Sequence, residues 1–145
     1  GFAPLPATFW ERSDLFELPA ADPRRKNTHA SAWHIDLDQD VRSLMSVKSN
    51  FDWFSTTHHE LGHVYYYLAY SNEDVPYILR RGANRAFHEG IGTLAELASN
   101  QVPYLRQVGL LAALEAPEET RLGLAVTDRA TGGQYRFAFP GPAWT

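Results

Sequence analysis

The sequence predicts a mainly α-helical domain with a small β element around residues 28–48. Apolar residues recur at helical spacing through residues 51–70 and again through 85–100. THASAWHIDL, residues 28–37, alternates instead with the period of a strand. The chain has 145 residues, 44% of them hydrophobic and 13% aromatic, enough for one globular domain with its own core but not for the walls of a deep channel.

Residues 1–26 carry four prolines and close on the polar run ADPRRKN, so they read as turns with a short helix around TFWERSDLFEL. DQDVRSLMSV extends the β region by a second short strand. At Asn50 the period changes. Phe51, Phe54, Leu61, Tyr65 and Leu68 share a helical stripe, Asn50 is a candidate N-cap, and Asp52 places a negative charge in the first turn. Tyr65, Tyr66, Tyr67 and Tyr70 spread over several faces of this helix, as on a helix buried on most sides. SNEDVP stops it near Tyr70. RRGAN reads as a turn, with Gly82 and Asn84 supplying conformational freedom and Arg80 and Arg81 solvated or paired with carboxylates. A second helix spans roughly Arg85 to Asn100, with Phe87, Ile91, Leu94 and Leu97 as its apolar stripe, and Pro103 opens a third that ends near Leu114. The division that follows is a core over 1–114 and a divergent, poorly packed or extended tail over 115–145. Within that tail APEETRLGLAV is compatible with a helix.

Six histidines stand beside no cysteines, so any metal is held by His, Asp or Glu, and disulfides are excluded. The formal net charge of −4 gives no reason to expect a nucleic-acid partner. There is no signal peptide and no apolar run long enough to span a bilayer, so no membrane contact is evident; GFAPLPATFW reads as a chain entered mid-sequence.

HHELGH, residues 58–63, carries the chemistry. On a helix, residues four apart share a face, so His59 and His63 present two imidazoles to one point, the start of many zinc sites. Glu60 then lies beside the metal, placed to take a proton from water and return it to a leaving amine. Gly62 lets another element approach closely. A catalytic zinc needs a third protein ligand, and Glu89 in FHEGIG is the candidate. Twenty-five residues lie between it and His63, enough for a helix to end, turn and return. A carboxylate at that place also suits a helix N-terminus with no metal at all. His58 and His88 point about 100° away from the residues that follow them, His59 and Glu89, and read as packing residues or as supports for the ligands.

In this order, LPATFWERS, HASAW, HHELGH, RRGAN and FHEGIG resemble peptidase family M2, the angiotensin-converting enzyme family, over residues 1 to about 114. The wording of DVRSLMSV and HEGIGTLAELA is nearer to bacterial members than to animal ones. The resemblance implies a gluzincin-type helical fold and a zinc peptidyl-dipeptidase that releases C-terminal dipeptides from oligopeptides. It implies one Zn2+ held by His59, His63 and Glu89, with Glu60 as general base and acid. His29 and Ala30 match strand positions that hold the substrate backbone. Thr93 stands where animal members carry an Asp that orients a zinc histidine. A chloride ion belongs to the full-length family, though its site is not identifiable in this chain. The implied location is secreted, periplasmic or membrane-anchored and extracellular. The family's oxyanion-stabilising and carboxylate-binding Lys, His and Tyr residues have no counterpart in 115–145, so the chain reads as a fragment around the zinc-binding core. A non-catalytic zinc-binding module and a related zinc oligopeptidase are the alternatives.

Overall fold

The computed structural model describes residues 2–110, together with the backbone of two strands at Gly123–Thr127 and Gln134–Ala138. In chain order the elements are α1 (Ala7–Arg12), β1 (Asp14–Phe16), β2 (Ser31–His34), β3 (Val41–Val47), α2 (Phe51–Tyr70), a 3-10 turn at Tyr77–Leu79, α3 (Arg85–Ser99), α4 (Val102–Gln107), β4 (Gly123–Thr127) and β5 (Gln134–Ala138). The predicted mainly α architecture with a small sheet is what forms.

β1, β3 and β2 form one sheet in that order, β1 parallel to the central β3 and β2 antiparallel to it, with Ser31 opposite Leu44 and His34 opposite Val41. Along β3 the alternation is clean, since Val41, Ser43 and Met45 are buried and Arg42, Leu44 and Ser46 less so. The predicted strand over 28–37 is shorter in the structure. It begins only at Ser31, and after His34 the chain bends through an Asp-rich loop in which Asp36 Oδ1 accepts from the amides of Asp38 and Asp40. Those side-chain acceptors offer the backbone a turn in place of a ladder. The short helix foreseen around TFWERSDLFEL also stops early. Ser13 is extended, and Asp14–Phe16 pairs with β3.

α2 is held at its start by Asn50, whose side chain accepts from the amide of Trp53. Phe9, Val41 and Val64 form the fully covered core, with Leu5, Leu15, Ala32, Leu61, Tyr67 and Leu68 packed around them. That cluster fixes α2 on the sheet. Tyr67 reinforces it by donating to the carbonyl of Ala32 at 3.2 Å.

α3 returns antiparallel to α2, because Ser55 meets Asn100 at one end of the pair while His63 meets His88 at the other. The apolar stripe expected to bury α3 does not do so. Phe87, Leu94 and Leu97 are more than half exposed, and the buried positions are Gly92 and Ser99. The reason is the closeness of the two backbones. A Cβ added at Gly62 would lie 2.9 Å from the Gly92 Cα and 3.0 Å from the Ile91 carbonyl oxygen, so only the small-residue face of α3 fits there. RRGAN also works differently from expectation. Asn84 is extended and caps α3 by accepting from the amide of Phe87, and Gly82 matters because a Cβ there would press on His88 and Tyr66 at 3.2 Å. Arg80 donates to the carbonyls of Val75 and Glu73, not to a carboxylate.

His58 joins α4 to α2. Its Nδ1–H donates to the carbonyl of Phe54, so Nε2 accepts from the Tyr104 hydroxyl at 2.9 Å. α4 ends at Gln107, short of the expected Leu114; residues 111–114 lie outside the described part. In the tail, Gly123–Thr127 is a strand antiparallel to Gln134–Ala138, which removes the helical option for that portion of APEETRLGLAV. Val and Thr in GLAVT favour the pleated conformation. Among the described residues no helix is long and apolar enough to cross a membrane.

Two outcomes follow from these contacts. Gly62→Ala forces α2 and α3 apart and lowers stability by roughly 1–3 kcal/mol, as over-packing does, read as the thermal midpoint; an unchanged midpoint would show that the helices have room to spare. The second concerns Asp40, which binds Arg42 and Arg12 and so ties the loop to β3 and α1. Arg42 first, with Arg12, holds its carboxyl at about 2 against an ordinary 3.8. A depressed acid stabilises the fold above its unfolded value and loses that contribution as pH falls through the folded one. The parent's thermal midpoint therefore drops more steeply than that of Asp40→Asn between pH 3.8 and about 2. Parallel curves would remove Asp40 from the account.

Candidate metal centre

α2 and α3 bring together the residues that the sequence marked. His59 and His63 stand one turn apart on α2, and Glu89 reaches them from the start of the second turn of α3. The Glu89 Oε2 atom lies 3.4 Å from His59 Nε2 and 3.6 Å from His63 Nε2. One donor atom from each of the three residues falls within 4.8 Å of the others. Ligands at ~2.0–2.1 Å from a tetrahedral ion are separated by roughly 3.3 Å, so the two edges that run from Glu89 are close to those of such a site. Two imidazoles and one carboxylate, with the remaining side open, is also the donor set of catalytic zinc.

The two imidazole rings need the bare backbone of α3 beneath them. A Cβ at Gly92 would sit 2.9 Å from His59 Nε2 and 3.0 Å from Cε1 of His63. Gly92 therefore keeps open the position at which the nitrogens converge. This is the same residue against which Gly62 packs, so helix approach and ligand placement share one cause.

Each imidazole has a partner on its other nitrogen. His59 Nδ1 lies 3.2 Å from Glu96 Oε2. His63 Nδ1 lies 2.7 Å from His88 Nδ1, a contact that requires one proton between the two nitrogens. Burial pushes His63 below the ordinary histidine range, with His59 and His88 adding to it, and burial does the same to His88. Neutral imidazole, the form that binds metals, is thereby favoured at His63.

Glu60 is 6% exposed, and its Oε2 has no hydrogen-bond partner in the protein. Burial raises it above the usual carboxylate range, against the pull of His59 and His29. An orphaned buried carboxylate oxygen beside three converging donors is the arrangement that a water or substrate proton would satisfy.

The centre opens into a cleft of about 780 Å³, with Glu60, His63 and Glu89 on one wall and His29, Ala30 and β2 on the other. His29 is exposed and Ala30 is buried, and both also border a smaller recess of about 430 Å³ next to His59, Glu60 and Glu96. Contrary to the expected strand positions, they do not lie on a strand. Both precede β2, in the bend that leads into Ser31. Tyr67 and Tyr70 line the cleft too, Tyr70 with its hydroxyl pushed up to about 12 by burial. Thr93 lies on the exposed side of α3, and the side chain of this helix that meets His59 at Nδ1 is Glu96. Sequence reasoning missed Glu96. Its place seven residues after Glu89, two helical turns along the same face, was the available signal.

Comparison with known proteins agrees with this geometry. The family model described as Peptidase M2, angiotensin-converting enzyme, matches residues 1–128. Angiotensin-converting enzyme of Haematobia irritans exigua is 38% identical over 122 residues, which are 84% of this chain and 19% of that protein. The Rattus norvegicus enzyme is 43% identical over 111 residues, 77% of this chain and 8% of that protein. An angiotensin-converting enzyme-related protein of Drosophila melanogaster is 36% identical over 122 residues, with the same coverage as the first. The chain thus spans less than a fifth of the length of each of these relatives. With its ordered motifs, its converging His59, His63 and Glu89, and a match that runs over most of its length, this chain belongs to the angiotensin-converting enzyme family, peptidase family M2.

Proposed function

We propose that His59, His63 and Glu89 hold one zinc ion and that this chain is the metal-binding core of a peptidyl-dipeptidase, which releases dipeptides from the free C-termini of oligopeptides. The observation that carries the reading is the convergence of the three donor atoms within 4.8 Å, beside a buried carboxylate and in the lining of a cleft. Zinc bound there supplies Lewis acidity, bringing the pKa of water towards ~7 and polarising a carbonyl.

The chain's own residues do the rest. Glu60 follows His59 in sequence but leaves its carboxyl out of the donor cluster, with Oε2 free to accept a proton from water. Its raised affinity for the proton lets it hold that proton and pass it to the leaving amide nitrogen, so that no amide anion has to depart. Facing it, β2 is an edge strand of the sheet and its residues line the cleft. An extended peptide can lie along that edge, with the main chain at Ala30 and the imidazole of His29 as its contacts. Main-chain pairing of this kind holds a peptide with little regard for its side chains.

Titration of the metal-free chain with zinc gives one equivalent of binding, and His59→Ala removes it; equal stoichiometry and affinity in that variant would place the site elsewhere. Gly92→Ala weakens zinc binding by roughly 10–100-fold through displacement of the imidazoles, the range seen when ligand orientation is disturbed. Glu60→Gln keeps the metal stoichiometry and slows hydrolysis by roughly 10²–10⁴-fold, the worth of a positioned acid–base group. Product analysis with a free-carboxylate tripeptide and its amidated counterpart tests the substrate class. Chelator-sensitive dipeptide release from the free form alone supports the proposal. Zinc binding without turnover assigns a non-catalytic metal module, and internal cleavage assigns an oligopeptidase.

A further inference from the structure

We propose that Glu96 is the positioning residue of this metal centre, fixing the proton of His59 on Nδ1 so that Nε2 is left to face the metal. The inference rests on the reading of His59 as a ligand. It starts from the 3.2 Å contact between His59 Nδ1 and Glu96 Oε2. An ionised carboxylate can only accept, so the nitrogen it touches must carry the hydrogen. The lone pair of the neutral ring then sits on Nε2, the atom that lies 3.4 Å from Glu89 Oε2.

The backbone explains why position 96 does this and position 93 does not. Glu89, Gly92, Glu96 and Ser99 follow one another at steps of three, four and three, which keeps them on one face of α3. Gly92 and Ser99 mark that face as the buried one. Thr93 is turned about 100° from Gly92 and is exposed. Glu96 is brought to His59 by the same antiparallel packing that joins Ser55 to Asn100 one turn further along. Its backbone is anchored as well, since the Ser99 hydroxyl donates to the Glu96 carbonyl at 2.7 Å.

The two imidazoles are therefore held by different means. His59 is braced by a carboxylate, and His63 by another imidazole, that of His88. Glu89 and Glu96 straddle His59, one on each nitrogen. Removing the charge at 96 should accordingly act on His59 and leave His63 as it was.

The test uses the 145-residue chain and zinc alone. In the metal-free parent, the ¹⁵N shifts of His59 report the Nδ1–H tautomer; the Nε2–H tautomer overturns the proposal before any variant is made. In Glu96→Gln, zinc affinity by chelator competition falls roughly 10–100-fold. His59 then shows both tautomers while His63 is unchanged, and the metal-free thermal midpoint stays that of the parent. Zinc affinity within twofold of the parent, or an unaltered His59 tautomer, overturns the role of Glu96. Failure of the parent itself to bind zinc overturns instead the assignment of the metal centre, so the two outcomes are separable.

Discussion

The approach of α2 to α3 at Gly62 and Gly92 is the constraint on which the rest of this structure depends. With no Cβ on either residue, the backbones come close enough for two imidazoles of one helix to lie over the bare turn of the other. Glu89 and Glu96, one turn to either side of Gly92, then meet His59 from opposite edges of its ring. A wider spacing would loosen both contacts at once. Ser55 and Asn100 fasten the far end of the pair, and the cap at Asn84 fixes where α3 begins and so where Glu89 stands.

The polar residues gathered at this interface would cost stability if they had nothing to bind. His63 and Glu60 are nearly covered, and Glu60 Oε2 and His88 Nε2 are buried without partners. Burial disfavours charge on all three residues, raising Glu60 and lowering His63 and His88. A site of this kind keeps imidazoles neutral for a metal and a carboxylate ready for a proton, at the expense of a better-packed helix pair. That trade is characteristic of functional positions and explains why local packing rules fail where the chemistry is.

How much was legible in the sequence follows from which forces are local. The limits of α2 and α3 are legible because the apolar period of each helix, and at α2 the cap at Asn50, are encoded within a few residues, whereas the capping role of Asn84 hides behind its turn propensity. The grouping of His59 with His63 follows from helical geometry alone, and Glu89 entered as a third donor through its place in FHEGIG. What was misread depends on the approach of separate segments. The α3 stripe of Phe87, Leu94 and Leu97 has the right period, yet the glycine contact turns the helix so that its small residues face inward. The strand at Asp14–Phe16 exists because β3 offers an edge, which no pattern in DLF announces. Glu96 escaped notice because its partner lies 37 positions away on another helix. Thr93 drew attention by resemblance, but the helix phase places it on the outside.

The central claim is that two imidazoles of α2 and one carboxylate of α3 surround a single ion. X-ray absorption at the zinc edge, on the chain loaded with one equivalent, tests it most directly. The account predicts a shell of nitrogen and oxygen at roughly 2.0–2.2 Å, with multiple scattering from two imidazoles. A shell with one imidazole, or with three through recruitment of His88 or His29, would contradict it.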